Sequence, residues 1–387
     1  MMLSAPYKSL SNQEKKQRHR EIAGVFFRLG TVAYGGPAAH VSLMEEEIVN
    51  KRGWLSREKF FDLYSLTNLI PGPNSTELAI HLGLERGGLW GLLLAGSMFI
   101  LPAMFIVLLF AALYTAYGQL PDFSSALYGV KPVIMAIILQ ALYRLGKSVI
   151  KGWPQLMLAG LVVGLSLLGA GEVPLLLGLG FAMMLYKNRK KLSNKALGIS
   201  FVPLGMLAAP AAPLTLNTLF LTFFKIGSVL YGSGYVLIAF LEAEFVHRLG
   251  ALSPQQLLDA VAVGQFTPGP VFTTATFVGY LIRGVPGALV STLGIFLPSF
   301  LLVLVLHPLL PKMRASTWVS GALDGVNIAS LGLMAAVSIK LGAATFVDGW
   351  TVGLFAAAFL VLMKYKINSA WLILAGGGLG WIIHLFM

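Results

Sequence analysis

The residues best suited to chemistry lie in two Pro-Gly-Pro triplets, Pro71-Gly72-Pro73 and Pro268-Gly269-Pro270, each inside an otherwise apolar stretch. Proline lacks a backbone N–H, and its ring clashes with the carbonyl four residues earlier. Each triplet therefore predicts a helix break followed by a new helix start. A helix N-terminus presents unpaired N–H groups and the positive end of a dipole, so each break predicts an anion-binding site. The alternative is that the prolines only kink a continuous helix.

Polar residues flank both breaks and extend the predicted substrate site. Asn74 is a good N-cap, and Glu77 follows at the spacing of a capping box. Glu77 stands in an apolar helix where the second copy has Thr274, so proton coupling is the competing interpretation of this carboxylate. The predicted binding residues around the breaks are Pro71, Gly72, Pro73, Asn74, Ser75, Thr76, Thr267, Pro268, Gly269, Pro270 and Thr273.

Two cations inside apolar segments, Arg28 and Lys225, are added to the predicted substrate site because they would attract an anion. A charge buried in a bilayer costs about 2.5–3.5 kcal/mol on insertion scales, so its presence calls for a reason. The alternative is that both side chains snorkel to the interface. Lys131 also stands inside an apolar segment, with Asn327 at the matching position, which leaves room for a role in one half only.

Signatures of other chemistry are absent from the sequence. There is no cysteine, which excludes disulfides and thiol catalysis. Serine-hydrolase, zinc-protease and P-loop motifs are missing, and the six histidines show no metal-ligand spacing. We therefore predict no catalytic residue, no cofactor and no metal, and we treat a membrane-embedded enzyme or a structural scaffold as remote alternatives.

The composition is that of a membrane protein. Hydrophobic residues make up 57% of the chain and charged residues 11%, whereas soluble domains carry about 25% charged residues. The formal charge of +12 comes from short basic connectors, which set membrane orientation and lack the pattern of a nucleic-acid site. The expected location is the cell inner (plasma) membrane, crossed many times, with the basic N-terminus in the cytoplasm.

The chain is a tandem duplication. Phe26-Phe-Arg-Leu-Gly30 recurs as Phe223-Phe-Lys-Ile-Gly227, and the triplets recur in the same register, since 223 − 26 and 268 − 71 each give 197. The predicted division is a polar cytoplasmic N-terminus over 1–21, a first repeat over 22–187, a basic connector with a candidate extra crossing over 188–218, and a second repeat over 219–387.

The first repeat contains apolar segments near 22–41, 60–83, 88–117, 123–146, 153–170 and 173–187, and the second repeat contains about as many. The basic connectors, among them the one with Lys151 after the fourth segment, alternate out of phase between the repeats. Homologous connectors are therefore expected on opposite sides of the membrane. The predicted fold is an all-α polytopic membrane protein with two inverted helical repeats, about 12–13 transmembrane segments and broken helices at the triplets. The first two segments of each repeat either span or re-enter. Inverted repeats are typical of transporters that bind substrate at the repeat interface.

The paired Phe-Phe-x-Leu/Ile-Gly openings, the Tyr34-Gly-Gly-Pro37 stretch and the twin triplets together resemble the chromate ion transporter family in its long, two-domain form. The resemblance covers nearly the whole chain. It implies efflux of chromate from the cytoplasm driven by the proton gradient, and it adds Gly35 and Gly36 to the substrate site. The second repeat has Gly232-Ser-Gly234 in place of Gly-Gly-Pro, so unequal contributions are expected there.

The expected function is secondary transport of an oxyanion, with chromate as the first choice. Chromate and sulfate are tetrahedral dianions of similar size, so uptake or exchange of sulfate or another tetrahedral oxyanion is the alternative. The expected partners are the oxyanion, protons, accepted by Glu77, and the lipid bilayer, with no nucleic acid. Whether the chain forms a homodimer is left open.

Overall fold

The computed structural model describes residues 7, 10–34, 36–118, 120–192, 213–231, 234–309, 312–313, 315–365 and 367–385, and within them it contains helices and no strand. The helices of the first repeat are α1 (Asn12–Val32), α2 (Gly36–Glu45), α3 (Arg57–Thr67), α4 (Asn74–Tyr117), α5 (Pro121–Val149), α6 (Trp153–Leu167) and α7 (Glu172–Leu192). Those of the second repeat are α8 (Leu216–Val229), α9 (Leu237–Leu241), α10 (Pro254–Phe266), α11 (Thr274–Leu306), α12 (Thr317–Thr345), α13 (Gly349–Lys364) and α14 (Ser369–Leu385).

The helix bounds repeat in the register of the sequence, which confirms two homologous helical repeats. α3 and α10 begin 197 residues apart (254 − 57), and α5 and α12 begin and end 196 residues apart (317 − 121 and 345 − 149). Even the short π-helix after α2, Glu46–Lys51, recurs after α9 as Glu242–Arg248. The repeats therefore share their breaks and irregularities as well as their regular helices.

α4 and α11 are helical hairpins. The backbone leaves the helical conformation at Gly87–Gly88 in α4 and at Arg283–Gly284 in α11. Gly83 packs against Gly91, although a straight helix would separate residues eight apart by about 12 Å. The arms are named here α4a (74–86), α4b (89–117), α11a (274–282) and α11b (285–306).

The segment predicted over 60–83 is a second hairpin, formed by α3, a tip over 68–73 and α4a. Lys59, at the start of α3, lies 3.0 Å from Glu85, at the end of α4a, so the two arms run side by side. Each arm rises about 16–20 Å, which is less than the roughly 30 Å of a hydrocarbon core. The geometry is that of a re-entrant hairpin with the Pro-Gly-Pro triplet at its tip.

The segment predicted over 22–41 is also interrupted. Glu21 on α1 lies 3.6 Å from Arg52, beyond α2, so α1 and the chain through α2 form a hairpin whose tip lies near Ala33. Arg86 pairs with the same Glu21 at 2.9 Å. The α1–α2 hairpin and the α3–α4a hairpin therefore have their open ends at the same end of the molecule. This end is marked by Glu21, Arg52 and Arg86 and is called end A; the opposite end is end B.

The equivalent helices α4b and α11b run in opposite directions. α11b lies along α4a in the same direction, because Ser299 faces Glu77 at 3.5 Å and His307 faces His81 at 3.0 Å. Since α4a and α4b are antiparallel arms, α4b and α11b are also antiparallel. The hairpins of the second repeat, α8–α9 and α10–α11a, therefore have their open ends at end B. Inverted repeats require this arrangement; the orientation of each repeat in a bilayer stays a prediction.

The repeats interlock through α5 and α12. α14 packs against α5, and α7 packs against α12. Gly129 lies against Gly376 and Gly380, and Gly325 lies against Gly180, where an added Cβ would overlap the facing backbone. Small residues of this kind let membrane helices approach closely. At the α7–α12 contact, polar bonds are added at end A, where Lys187 pairs with Asp324 and the hydroxyl of Thr317 donates to Asn188.

Among the described residues, four helical stretches are long and apolar enough to cross a membrane by length and composition, namely Asn74–Tyr117, Ser124–Val149, Val271–Leu306 and Thr317–Thr345. The shorter apolar helices are α6, α8, α13 and α14. The chain is thus a multi-pass helical membrane protein. Most of the candidate crossing over 196–216 lies outside the described residues.

Candidate functional site

Hairpin tips from both repeats meet in the middle of the molecule. The N–H of Gly72 donates to the carbonyl of Leu230 at 2.8 Å, and the N–H of Gly269 donates to the carbonyl of Ala33 at 3.0 Å. The two bonds are equivalent, because 269 − 72 and 230 − 33 each give 197. Each Pro-Gly-Pro tip is therefore held by the end of the first helix of the other repeat.

A cavity of about 500 Å³ lies between these tips, within the usual size of a small-molecule site. Asn74 and Ser75 at the start of α4a face Val271 and Phe272, just before α11, across it. The other lining residues are Pro37, His40, Asn68, Pro73, Leu145, Ser148, Val149, Lys151, Gln155, Met183, Gly234, Asp324, Asn327 and Ile328. Both repeats thus contribute a helix start to one cavity.

The first turn of α4a supplies hydrogen-bond donors to the cavity. The N–H groups of Thr76 and Glu77 bond back to the carbonyl of Pro73 at 2.8 and 3.0 Å. Those of Asn74 and Ser75 have no hydrogen-bond partner in the described part of the chain. Two unpaired donors and the positive end of the helix dipole therefore border a space that an anion can fill.

The predicted capping box is wrong. Pro73 occupies the N-cap position and has no side-chain acceptor, so α4 has no side-chain cap. The side-chain amide of Asn74 instead donates to Asn68 across the tip at 2.7 Å. Glu77 makes no capping bond, and its carboxylate lies 3.5 Å from the hydroxyl of Ser299 on α11b. Capping therefore does not explain this carboxylate.

The charged lining residues make the cavity cationic towards end A. Lys151 lies in the connector after α5, and its side chain is exposed. Asp324 is paired with Lys187 at 2.8 Å, which balances its charge. Lys151 is therefore the cation best placed for an anion in the cavity, whereas the charge pattern of the sequence indicates only the orientation of its connector.

Buried His40 braces the lining of the cavity. Its Nδ1 lies 3.1 Å from the hydroxyl of Ser75, and its Nε2 lies 3.0 Å from the carbonyl of Ala33. His40 thereby connects the start of α4a to the tip of the α1–α2 hairpin. No periodicity or motif marks this residue in the sequence.

The cavity is open towards end A and closed towards end B. Its lining runs from the tips to the end of α5 and the connector that carries Lys151. Towards end B, Lys131 pairs with buried Asp259 at 3.6 Å, and the hydroxyl of Tyr114 donates to the same carboxylate at 2.9 Å. Since 327 − 131 gives 196, Lys131 matches the cavity residue Asn327. A charged lysine thus stands towards the closed end where the equivalent position in the open cavity has a neutral asparagine.

Arg28 and Lys225 lie outside the cavity lining. Arg28 is 3.7 Å from Glu47, with about two thirds of its side chain exposed at 65%. Lys225 forms an ion pair with Glu244, the residue equivalent to Glu47. The two cations thus have matching carboxylate partners outside the cavity.

The remaining predicted residues support the tips. The hydroxyls of Thr267 and Thr273 donate to the carbonyls of Gly264 and Pro270, at 3.4 and 2.8 Å. Thr76 is fully buried. Pro73, Asn74 and Ser75 line the cavity, whereas Pro71, Gly72, Thr76, Pro268, Gly269, Pro270 and Gly36 do not. Gly35 lies outside the described residues. No group of three metal-ligating side chains occurs in the described ranges.

Comparisons with known proteins agree with these features. A family model described as "Chromate transporter" matches residues 20–186 and 217–381, once in each repeat. A "Probable chromate transport protein" of Synechococcus elongatus is 31% identical, covering 87% of this chain and 88% of its own. The "Chromate transport protein" of Cupriavidus metallidurans is 32% identical, covering 93% and 92%.

A further "Chromate transport protein", from Pseudomonas aeruginosa, is 32% identical and covers 92% of this chain and 91% of its own. No solved structure matches the chain. Because the family model matches most of the chain in two copies, and full-length relatives share the same span, the chain belongs to the chromate transporter family.

Proposed function

We propose that this membrane transporter carries chromate out of the cytoplasm, with the proton gradient as its driving force. The substrate site is the cavity bordered by Asn74 and Ser75 from one repeat and Val271 and Phe272 from the other. The observation that carries the proposal is that helix starts from two homologous repeats meet in one cavity. Broken helices in matching positions of two repeats are the usual substrate site of secondary transporters.

The chemistry of the site suits a dianion that must bind and leave again. Backbone N–H groups and helix dipoles supply positive potential without a fixed ion pair, so binding does not become irreversible. Lys151 adds one exposed cation at the mouth. A tetrahedral dianion has oxygens on every side, so donors from opposite walls can reach it together.

The charge distribution supports access from the cytoplasm. End A carries the basic connectors after α5 and α7, with Lys147, Lys151 and Lys187. The connector between α6 and α7 lies at end B and leads into Glu172. Basic connectors stay in the cytoplasm, so the mouth of the cavity faces the compartment from which chromate would be exported.

The direct test is uptake of radiolabelled chromate into inside-out vesicles containing the purified protein, with and without a proton gradient. Lys151→Gln should raise the half-saturating chromate concentration about fivefold, as expected for the loss of roughly 1 kcal/mol of charge attraction. Lys147→Gln is the matched control, because Lys147 is exposed one turn earlier and does not line the cavity.

The outcomes separate the alternatives. Unlabelled sulfate should compete with chromate, because the donors recognise charge and tetrahedral shape. Vesicles that take up labelled sulfate but no chromate would support sulfate transport instead. Absence of flux for both oxyanions would refute the proposed function, and equal effects of the two lysine variants would remove Lys151 from the site.

A further inference from the structure

A row of protonatable side chains runs along α4a from the Pro-Gly-Pro tip to end A. Glu77, His81 and Glu85 follow at intervals of four residues, which places them on one face of the helix. The first two side chains are fully buried. Neither the transport site nor helix capping uses any of these groups.

Glu77 lies directly beneath the first triplet. A Cβ added at Gly72 would collide with its carboxylate and with the hydroxyl of Ser299. One carboxylate oxygen, Oε2, is buried without a hydrogen-bond partner among the described residues. A buried polar atom of this kind needs a proton or an ordered water.

His81 continues the row and joins it to the second repeat. Its Nδ1 lies 3.0 Å from Nδ1 of His307 on α11b, while its Nε2 is buried without a partner in the described ranges. One Nδ1 must donate and the other must accept, so both rings cannot be doubly protonated while this bond lasts. The pair can therefore hold one extra proton at a time and pass it from ring to ring.

The row reaches solvent at end A. Nε2 of His307 lies 3.6 Å from Glu85, and Glu85 lies 3.0 Å from Lys59 on α3. His307, Glu85 and Lys59 each have a quarter or more of the side chain exposed, at 27%, 25% and 48%. The row therefore connects the buried carboxylate of Glu77, beside the substrate site, to bulk water at end A, with which protons can exchange.

From this geometry we infer that Glu77, His81, His307 and Glu85 form a proton path between end A and the Pro-Gly-Pro tip. Glu77 is the proton-binding site, the histidine pair is the relay, and Glu85 with Lys59 is the mouth. One water between Glu77 and His81 completes the path, because residues four apart are separated by about 6 Å along a helix.

The path exists in one repeat only. The residues at the positions equivalent to Glu77, His81 and Glu85 are Thr274, Val278 and Ile282, none of which carries protons. One proton site then serves two helix starts. The inference builds on the proposed function, since it names the proton route of the same transporter, but it concerns different side chains from the chromate cavity.

The test does not depend on chromate flux. Infrared difference spectra of the purified protein should show a buried carboxylic acid band that is missing in Glu77→Gln. The rate at which deuterium exchanges into that band measures proton access. His81→Gln and His307→Gln should each slow this exchange, and His247→Gln should not, because His247 pairs with Glu242 outside the row.

A second measurement links the path to transport. In vesicles at fixed membrane potential, chromate-driven proton movement should be lost in Glu77→Gln and restored in part by Glu77→Asp. Because chromate itself takes up a proton near neutral pH, each variant is compared with the wild type at the same pH. Unchanged deuterium exchange in both histidine variants overturns the path, whether or not chromate moves. Absent chromate flux with slowed exchange contradicts the proposed function alone.

Discussion

Gly72 shows how one residue can set the geometry of the site. Its φ of 136° lies in the region that side chains other than glycine rarely adopt. Its N–H is bound to Leu230 of the other repeat, and Glu77 and Ser299 fill the space where a Cβ would point. The N–H of this glycine therefore holds the tip in place, and the anion is left with the donors of the residues that follow.

Replacing Gly72 tests this division of roles. Gly72→Ala should abolish most transport, because the methyl group adds a collision with Glu77 to about 1–3 kcal/mol of backbone strain. Gly250→Ala is the matched control, since Gly250 has a φ of 57° and open space around its Cβ position. Chromate flux per inserted protein is the measurement. Equal losses of chromate flux in Gly72→Ala and Gly250→Ala would show that backbone strain reduces transport without a contribution from the collision with Glu77.

The sequence predicted the site residues unevenly, for physical reasons. It located Pro73, Asn74 and Ser75 because proline chemistry acts on the local backbone. It misplaced Asn74 as a cap, because the partner of its side chain, Asn68, lies across a tip that only the folded hairpin forms. Lys151 was read as an orientation signal, since its place at the cavity mouth depends on packing between the two repeats.

At the scale of helices, the repeat register predicted most bounds, whereas the hairpins could not be predicted. A hydrophobic stretch has the same composition whether it spans or folds back, and Lys59 and Glu85 reveal the hairpin only by meeting at its open end. The turn at Gly87–Gly88 has a positive φ at its second glycine. Two glycines mark such a turn in retrospect, but they also occur inside continuous membrane helices.

The prediction at the scale of helices concerns the two Pro-Gly-Pro triplets. Pro71→Ala with Pro73→Ala should let α4a extend backwards into the tip, so its own carbonyls would take up the free N–H groups of Asn74 and Ser75. Chromate flux should fall strongly. Pro268→Ala with Pro270→Ala should have the same effect, because the second helix start borders the same cavity.

The control is a proline outside the site. Pro174→Ala changes the start of α7, which lies at end B and away from the tips. Flux is normalised to inserted protein in every variant. Near-normal flux in either double variant would contradict a shared site, since the prolines would then be simple kinks.

At the scale of the whole molecule, the antiparallel course of α4b and α11b predicts that equivalent connectors face opposite sides of the membrane. Lys151 and Val347 occupy matching positions after α5 and α12, since 347 − 151 gives 196, and both are exposed. The chain has no native cysteine, so Lys151→Cys and Val347→Cys give clean labelling sites. A membrane-impermeant thiol reagent should reach the first from the cytoplasm and the second from outside. Labelling of both from one side would refute the inverted arrangement.

The final prediction concerns what keeps end B closed. Lys131, Asp259 and Tyr114 form a polar cluster there, and the equivalent of Lys131 on the open side is the neutral Asn327. Removing one partner of a largely buried ion pair leaves the other partner charged and unpaired in a low-dielectric environment. Lys131→Asn should therefore destabilise the closed end by about 1–3 kcal/mol, which shifts the ratio of outward-open to inward-open molecules by about 5–150-fold.

Cysteine accessibility measures this shift directly. Gln265 is the equivalent of Asn68, and it is buried at the closed end whereas Asn68 lines the cavity. In the Lys131→Asn background, Gln265→Cys should react faster with an impermeant reagent from outside. Arg57→Gln is the control, because it breaks an exposed ion pair with Glu45 that does not line the cavity. Adding Asp259→Asn to Lys131→Asn removes the unpaired charge and should return labelling part of the way to the wild-type rate. If Lys131→Asn leaves the labelling of Gln265→Cys unchanged, the ion pair does not hold end B closed.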